Sequence, residues 1–123
     1  MNNLKSSITL SLFFLCMLGS TQAFAENVKV NIGKIDKGVE LIIFDNFEDT
    51  GKADHINYCN FDVTRQVPAY IRINGSKIQP VCWQPARTDG VGYVIPLGEG
   101  IEFNEKQIKF RDAVLDIDKK KIR

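Results

Sequence analysis

Histidine is almost missing from this chain: His55 is the only one in 123 residues. Any Ser-His-Asp or Cys-His arrangement for nucleophilic catalysis would have to be built on it. Cysteine is scarce too, with Cys16, Cys59 and Cys82 in no C-x-x-C spacing, so the usual zinc and dithiol patterns are absent. No apolar run reaches the roughly 18 to 20 residues that a membrane-spanning helix needs. Charge of one sign is lacking as well: 16 Lys and Arg face 15 Asp and Glu. That balance favours neither nucleic acid nor an anionic membrane as a partner. Apolar residues almost never recur at the 3.6-residue helical period, which argues against a helical bundle.

What is present begins with a leader. Lys5, the apolar run ITLSLFFLCMLG and then Ala23-Phe24-Ala25 give residues 1–25 the three parts of a secretory signal peptide, and cleavage leaves residues 26–123 as one domain. Leu15 before Cys16 argues against a lipoprotein signal, which wants a small residue there. Of the basic residues only Lys5 is lost, so the mature charge is close to zero. The expected location is the periplasm or the medium. A domain of this size is near the limit at which a core alone suffices, and oxidising compartments favour disulfides. Cys59 and Cys82 are left as an even pair and are expected to bond to each other.

Strand signals dominate the mature chain. Val28, Val30 and Ile32 alternate with polar residues, and VELIIF reads as a strand buried on both faces. Asn74-Gly75 between AYIRI and SKIQPVCW predicts a two-residue type I′ hairpin that sets Ile71 opposite Ile78 and Arg72 opposite Lys77. In that register Cys82 joins the inward set and Trp83 the outward one. A short strand is expected at CNFDV, another at GYVIPL, and a hairpin pairing Ile101 and Phe103 with Ile108 and Phe110. Residues Asp45 to Asn60 read as a long acidic loop with one helical turn at most, and the tail DIDKKKIR as charged and frayed. The sum is an all-β fold, a small antiparallel sandwich or barrel of about seven short strands with one disulfide.

Candidate sites follow from exposure and residue type. Trp83, beside the expected disulfide, reads first as core, as in sandwiches where tryptophan packs on a disulfide. The alternative groups Trp83 with Tyr70, Tyr93, Arg72 and Arg87 as a partner-binding face, since aromatics and arginine dominate hot spots. The Gln84 to Gly90 connection, long for a hairpin loop, would complete it. His55 reads as an exposed loop histidine. Asp45, Glu48, Asp49 and Asp54 offer oxygen ligands without EF-hand spacing, so a solvated acidic loop is expected rather than a cation site. No catalytic residue, metal or cofactor is assigned.

Cys59, AYIRING, VCW, GYVIPL and Phe103, in that spacing, resemble a group of short bacterial and phage-associated proteins of unknown function with a Cys…Cys-Trp pattern. The resemblance covers roughly the central half of the mature chain and implies no catalytic residues. Periplasmic lysozyme inhibitors are similar in size, export and disulfide use, but their Ser-Gly-bearing and Tyr-bearing motifs are not found here. The expectation is therefore an exported, non-enzymatic module that binds another envelope or extracellular protein, by inhibitor-type or immunity-type occlusion. An envelope structural subunit is the alternative, and a glycan- or cation-binding protein a further one.

Overall fold

The computed structural model describes residues 26–86, 89–95 and 100–123, apart from the side chains of Val63 and Thr64. The expected leader with Cys16, the end of the GYVIPL strand and Arg87 lie outside the described residues. Eight strands form one antiparallel sheet: β1 (Asn27–Asp36), β2 (Val39–Phe44), β3 (Val67–Ile73), β4 (Gln79–Gln84), β5 (Val91–Ile95), β6 (Ile101–Asn104), β7 (Arg111–Asp116) and β8 (Lys121–Ile122). Their spatial order is β6-β5-β4-β3-β2-β1-β7-β8. The sheet curls until β6 comes back against β1, so it resembles a barrel left open at one seam.

Curling gives the sheet two cores. Inside the curl Leu41, Ala69, Ile71, Val81, Val94 and Phe103 pack together, while Val30, Ile32, Ile42, Tyr70, Ile78 and Leu115 pack on the outer face. The apolar run of β2 serves both, with Leu41 and Ile42 each fully buried on opposite sides. β1 also serves both: Val28, Val30 and Ile32 face the outer core, and Ile35, on the alternate face with Gly33, joins the inner one beside the register shift between Lys34 and Asp36.

The central hairpin departs from expectation by one residue. Asn74 and Gly75 both have positive φ, and Ser76 N donates to Ile73 O at 2.9 Å, so the turn forms as read. The ladder, however, pairs Ile71 with Gln79 and Tyr70 with Pro80, because an extra residue is taken up between Ser76 and the start of β4. A one-residue slip moves side chains to the other face. Ile78 therefore joins the outer core and Ile71 the inner one. Arg72 does not face Lys77; it sits opposite Glu40 of β2, with Nε and Nη2 both 2.9 Å from Oε1.

Three further segments differ. CNFDV is not a strand: Cys59 ends a 3-10 turn, Ile56–Tyr58, and Phe61–Thr64 is one turn of helix, α1. Nor do Ile101 and Phe103 pair with Ile108 and Phe110. After a 3-10 turn at Glu105–Gln107 the chain crosses to β7, which pairs with β1. Ile108 and Phe110 lie over Gly33, where a Cβ would come within 2.8 Å of both, so only glycine admits that crossing. The tail does not fray: Leu115 pairs with Ile122 and Asp116 with Lys121.

Candidate functional site

The outer core is covered by residues 45–66, made of the expected acidic loop Asp45 to Asn60 and the segment that follows it. A polar framework fastens it. Asp45 N donates to Lys29 O at 3.0 Å, and Asn31 Nδ2 donates to Asp45 Oδ1 at 2.9 Å. Asn46 Oδ1 then accepts from Glu48 N and caps the 3-10 turn Phe47–Lys52. Thr50, buried, donates its hydroxyl to Phe47 O at 2.7 Å. Lys52 bridges Glu26 and Asp49, and Asp54 reaches Lys120 at 3.2 Å. That lysine bond is the main reason the Asp54 carboxyl is held below its usual range. The acidic side chains are thus largely spent on fastening, and among the described residues no group of three ligands converges for a metal.

His55 is the inner anchor of the cap. It is not an exposed loop residue but 6% exposed, its ring in an edge-to-face contact with Tyr70 at 5.0 Å between centroids. Nε2 lies 3.0 Å from Ala69 O and 3.0 Å from Val81 O, residues that face each other across β3 and β4. Carbonyls only accept, so Nε2 carries a proton. Nδ1 lies 3.4 Å from Asp54 Oδ1. Both ring nitrogens are engaged, and no nucleophile is aligned with them among the described residues. Cys59, the sequence neighbour, is bonded to Cys82 as expected, with Cα atoms 5.5 Å apart. The disulfide joins the cap to β4 across the outer face.

Strand alternation takes the expected partner face apart. Trp83 pairs with Val67 and Val94 and packs, half-buried, against the inner core, while Cys82 points the opposite way. The tryptophan therefore does not pack on the disulfide. Tyr70 cannot contribute to a surface: it is 1% exposed beneath the cap, among outer-core side chains. Arg72 is ion-paired to Glu40, and Tyr93, half-buried, lies on the face opposite Trp83. Arg87 is outside the described residues.

The Tyr70 hydroxyl is buried with no hydrogen-bond partner among the described residues. Burial, with the negative charge of Asp54 second, pushes its phenol up to about 12 from an ordinary value of 10.0. Below pH 10 the hydroxyl is neutral in folded and unfolded chains alike, and no stability is lost. Between the two values the unfolded phenol ionises first, so stability should fall by roughly 1.4 kcal/mol per pH unit, ~2 to 3 kcal/mol in all. Urea melts of the wild type and Tyr70→Phe across that window check this: the variant lacks that component of the alkaline decline. At neutral pH it should be more stable by about 1 kcal/mol, because an unsatisfied hydroxyl is gone.

What the sequence reading missed is on the outside of the cap. Phe47 is 59% exposed, Tyr58 83%, Phe61 48% and Ile56 37%. Phe47 and Phe61 stack with centroids 5.3 Å apart and rings inclined at 51°. This pair forms the shared wall of two grooves. One, about 680 Å3, is completed by Asp62, Arg65, Val67, Pro85 and Ala86. The other, about 350 Å3, runs past Glu48, Ile56 and the Cys59 side of the disulfide to Pro68. The available signal was Phe47, Ile56 and Tyr58 left unassigned in a segment read as solvated; Phe61 stood in the expected CNFDV strand. No family model, curated protein or solved structure matches this chain.

Proposed function

We propose that this chain is an exported, non-enzymatic module that binds another protein through the aromatic outer face of residues 47–61, and acts by covering a site on that partner. The observation that carries the reading is the exposed Phe47–Phe61 stack, with Ile56 lining the same groove and Tyr58 exposed in the same 3-10 turn as Ile56. Contiguous exposed aromatics cost solubility and mark interaction surfaces. Here they stand on a segment tied down by a disulfide, a buried histidine and two lysine bridges, so little ordering entropy would be lost on docking. The reading keeps the binding-module class expected from the sequence and moves its face from Trp83 to the cap.

Affinity capture from envelope and extracellular fractions tests it, with the oxidised mature protein and a Phe47→Ala, Tyr58→Ala, Phe61→Ala variant as parallel baits. A protein held by the first bait and rebound in purified form should lose at least about thirtyfold in affinity to the variant, as hot-spot truncation does. These side chains are already solvent-exposed, so the variant should melt close to the wild type. A partner held equally by both baits would place the binding surface elsewhere.

A further inference from the structure

We infer that the larger groove beside the Phe47–Phe61 stack takes an extended, uncharged peptide segment of the partner, with an apolar or aromatic side chain seated against the two rings and the peptide backbone held between Asp62 and Arg65. The inference rests on the protein-binding reading and names the chemistry of its contact. The groove, about 680 Å3, falls within the ~300 to 1,000 Å3 of ligand-holding clefts. Its apolar wall is Phe47, Phe61, Val67, Pro85 and Ala86.

The two charged lining residues decide the ligand class. Asp62 contributes one negative charge and Arg65 one positive, and neither is ion-paired within the described molecule. A charged segment would gain from one and be repelled by the other; an uncharged peptide gains from both. Its N–H groups suit the carboxylate acceptor and its C=O groups the guanidinium donor, the pairing that an extended backbone offers along its length.

Arg65 has a second peculiarity. Its φ is +57°, where the chain leaves α1 with Arg65 N donating to Phe61 O and Gln66 N to Asn60 O. Glycine suits that left-handed conformation better than any side chain. An arginine in this glycine-favouring conformation, lining the groove, places a guanidinium there at a backbone cost, as residues at contact sites do.

The same conformation supplies a clean variant, since Arg65→Gly removes the guanidinium and leaves the backbone at ease. The test is a titration of isotope-labelled, oxidised mature protein followed by NMR. The probes are three synthetic peptides of equal length, one neutral and rich in phenylalanine and leucine, one arginine-rich and one glutamate-rich, together with a chito-oligosaccharide. The neutral peptide should shift Phe47, Phe61, Asp62 and Val67 signals and bind roughly three- to tenfold more weakly to Arg65→Gly and to Asp62→Asn, each folded as the wild type. Stronger binding of either charged peptide, a response to the saccharide in place of peptide, or no shift in the groove overturns the inference. If none of the peptides binds while the triple aromatic variant still loses its captured partner, the protein-binding reading stands and only this contact falls. If the captured partner is indifferent to the aromatic variant, that reading fails first.

Discussion

Replacing both Cys59 and Cys82 with serine is expected to cost roughly 3 kcal/mol of stability, the chain-entropy value for a loop of this order. The bond spans 23 residues, and the loop it closes contains the last turn of the cap, α1 and all of β3. For a domain near this size each kcal/mol is worth about 4 to 8 °C, so the melting temperature should fall by roughly 12 to 24 °C. The sheet should survive at room temperature, because its ladders and both cores owe nothing to the disulfide directly. The cap is different. Tyr58 immediately precedes Cys59, and Phe61 follows it by two residues, so the aromatic face hangs from the tethered point. Hydrogen exchange should rise selectively in residues 55–66, and affinity for a captured partner should drop about tenfold as the face loses its preorganisation. A double-serine variant that melts within a degree or two of the wild type would show that the histidine, the lysine bridges and the Asp45 bonds hold the cap without the disulfide.

How much of this was legible in the sequence depends on how local each signal is. β1 and β2 were readable because alternation and an apolar run are properties of neighbouring residues, and Asn74-Gly75 does form its turn. The disulfide was readable because loss of the expected leader with Cys16 leaves Cys59 and Cys82 as a pair. The register of β4 was not, since a single extra residue after the turn leaves no mark in composition yet reverses the faces of Ile78, Cys82 and Trp83. The expected face had been grouped by residue type, and the register sets its members apart, with Trp83 on the inner side and Tyr70 under the cap. Residues 45–60 were read from their charges, and the charges do sit outside, fastened to Asn31, Glu26 and Lys120. Which apolar residues of that loop turn in and which turn out is set by the sheet beneath, not by any local period. β7 pairs with the first strand of the domain, a contact no nearby residue announces.

His55 is expected to be the most consequential single residue of the cap, and His55→Ala should destabilise the protein by about 2 to 4 kcal/mol, in the range for losing a buried ring together with its hydrogen bonds. Two losses contribute, and variants can separate them. The imidazole fills space against Tyr70, so its removal leaves a cavity above the outer core. Its Nε2 proton also joins β3 to β4 from above, between the Ala69 and Val81 carbonyls, and holds the cap onto both strands at once. His55→Phe restores volume without a donor; His55→Gln restores a donor without the ring. If the donor dominates, the glutamine variant should recover more than half of the loss in urea melts and the phenylalanine variant little, since it leaves the bridge unmade. The reverse order would make His55 a packing residue whose nitrogens merely find acceptors. Either way the damage reaches the surface, because Ile56 and Tyr58 follow His55 in the same 3-10 turn. An alanine variant that kept full stability would leave the cap held by the disulfide and the outer polar bonds of Asp45, Lys52 and Asp54, with the aromatic face not held rigid from within.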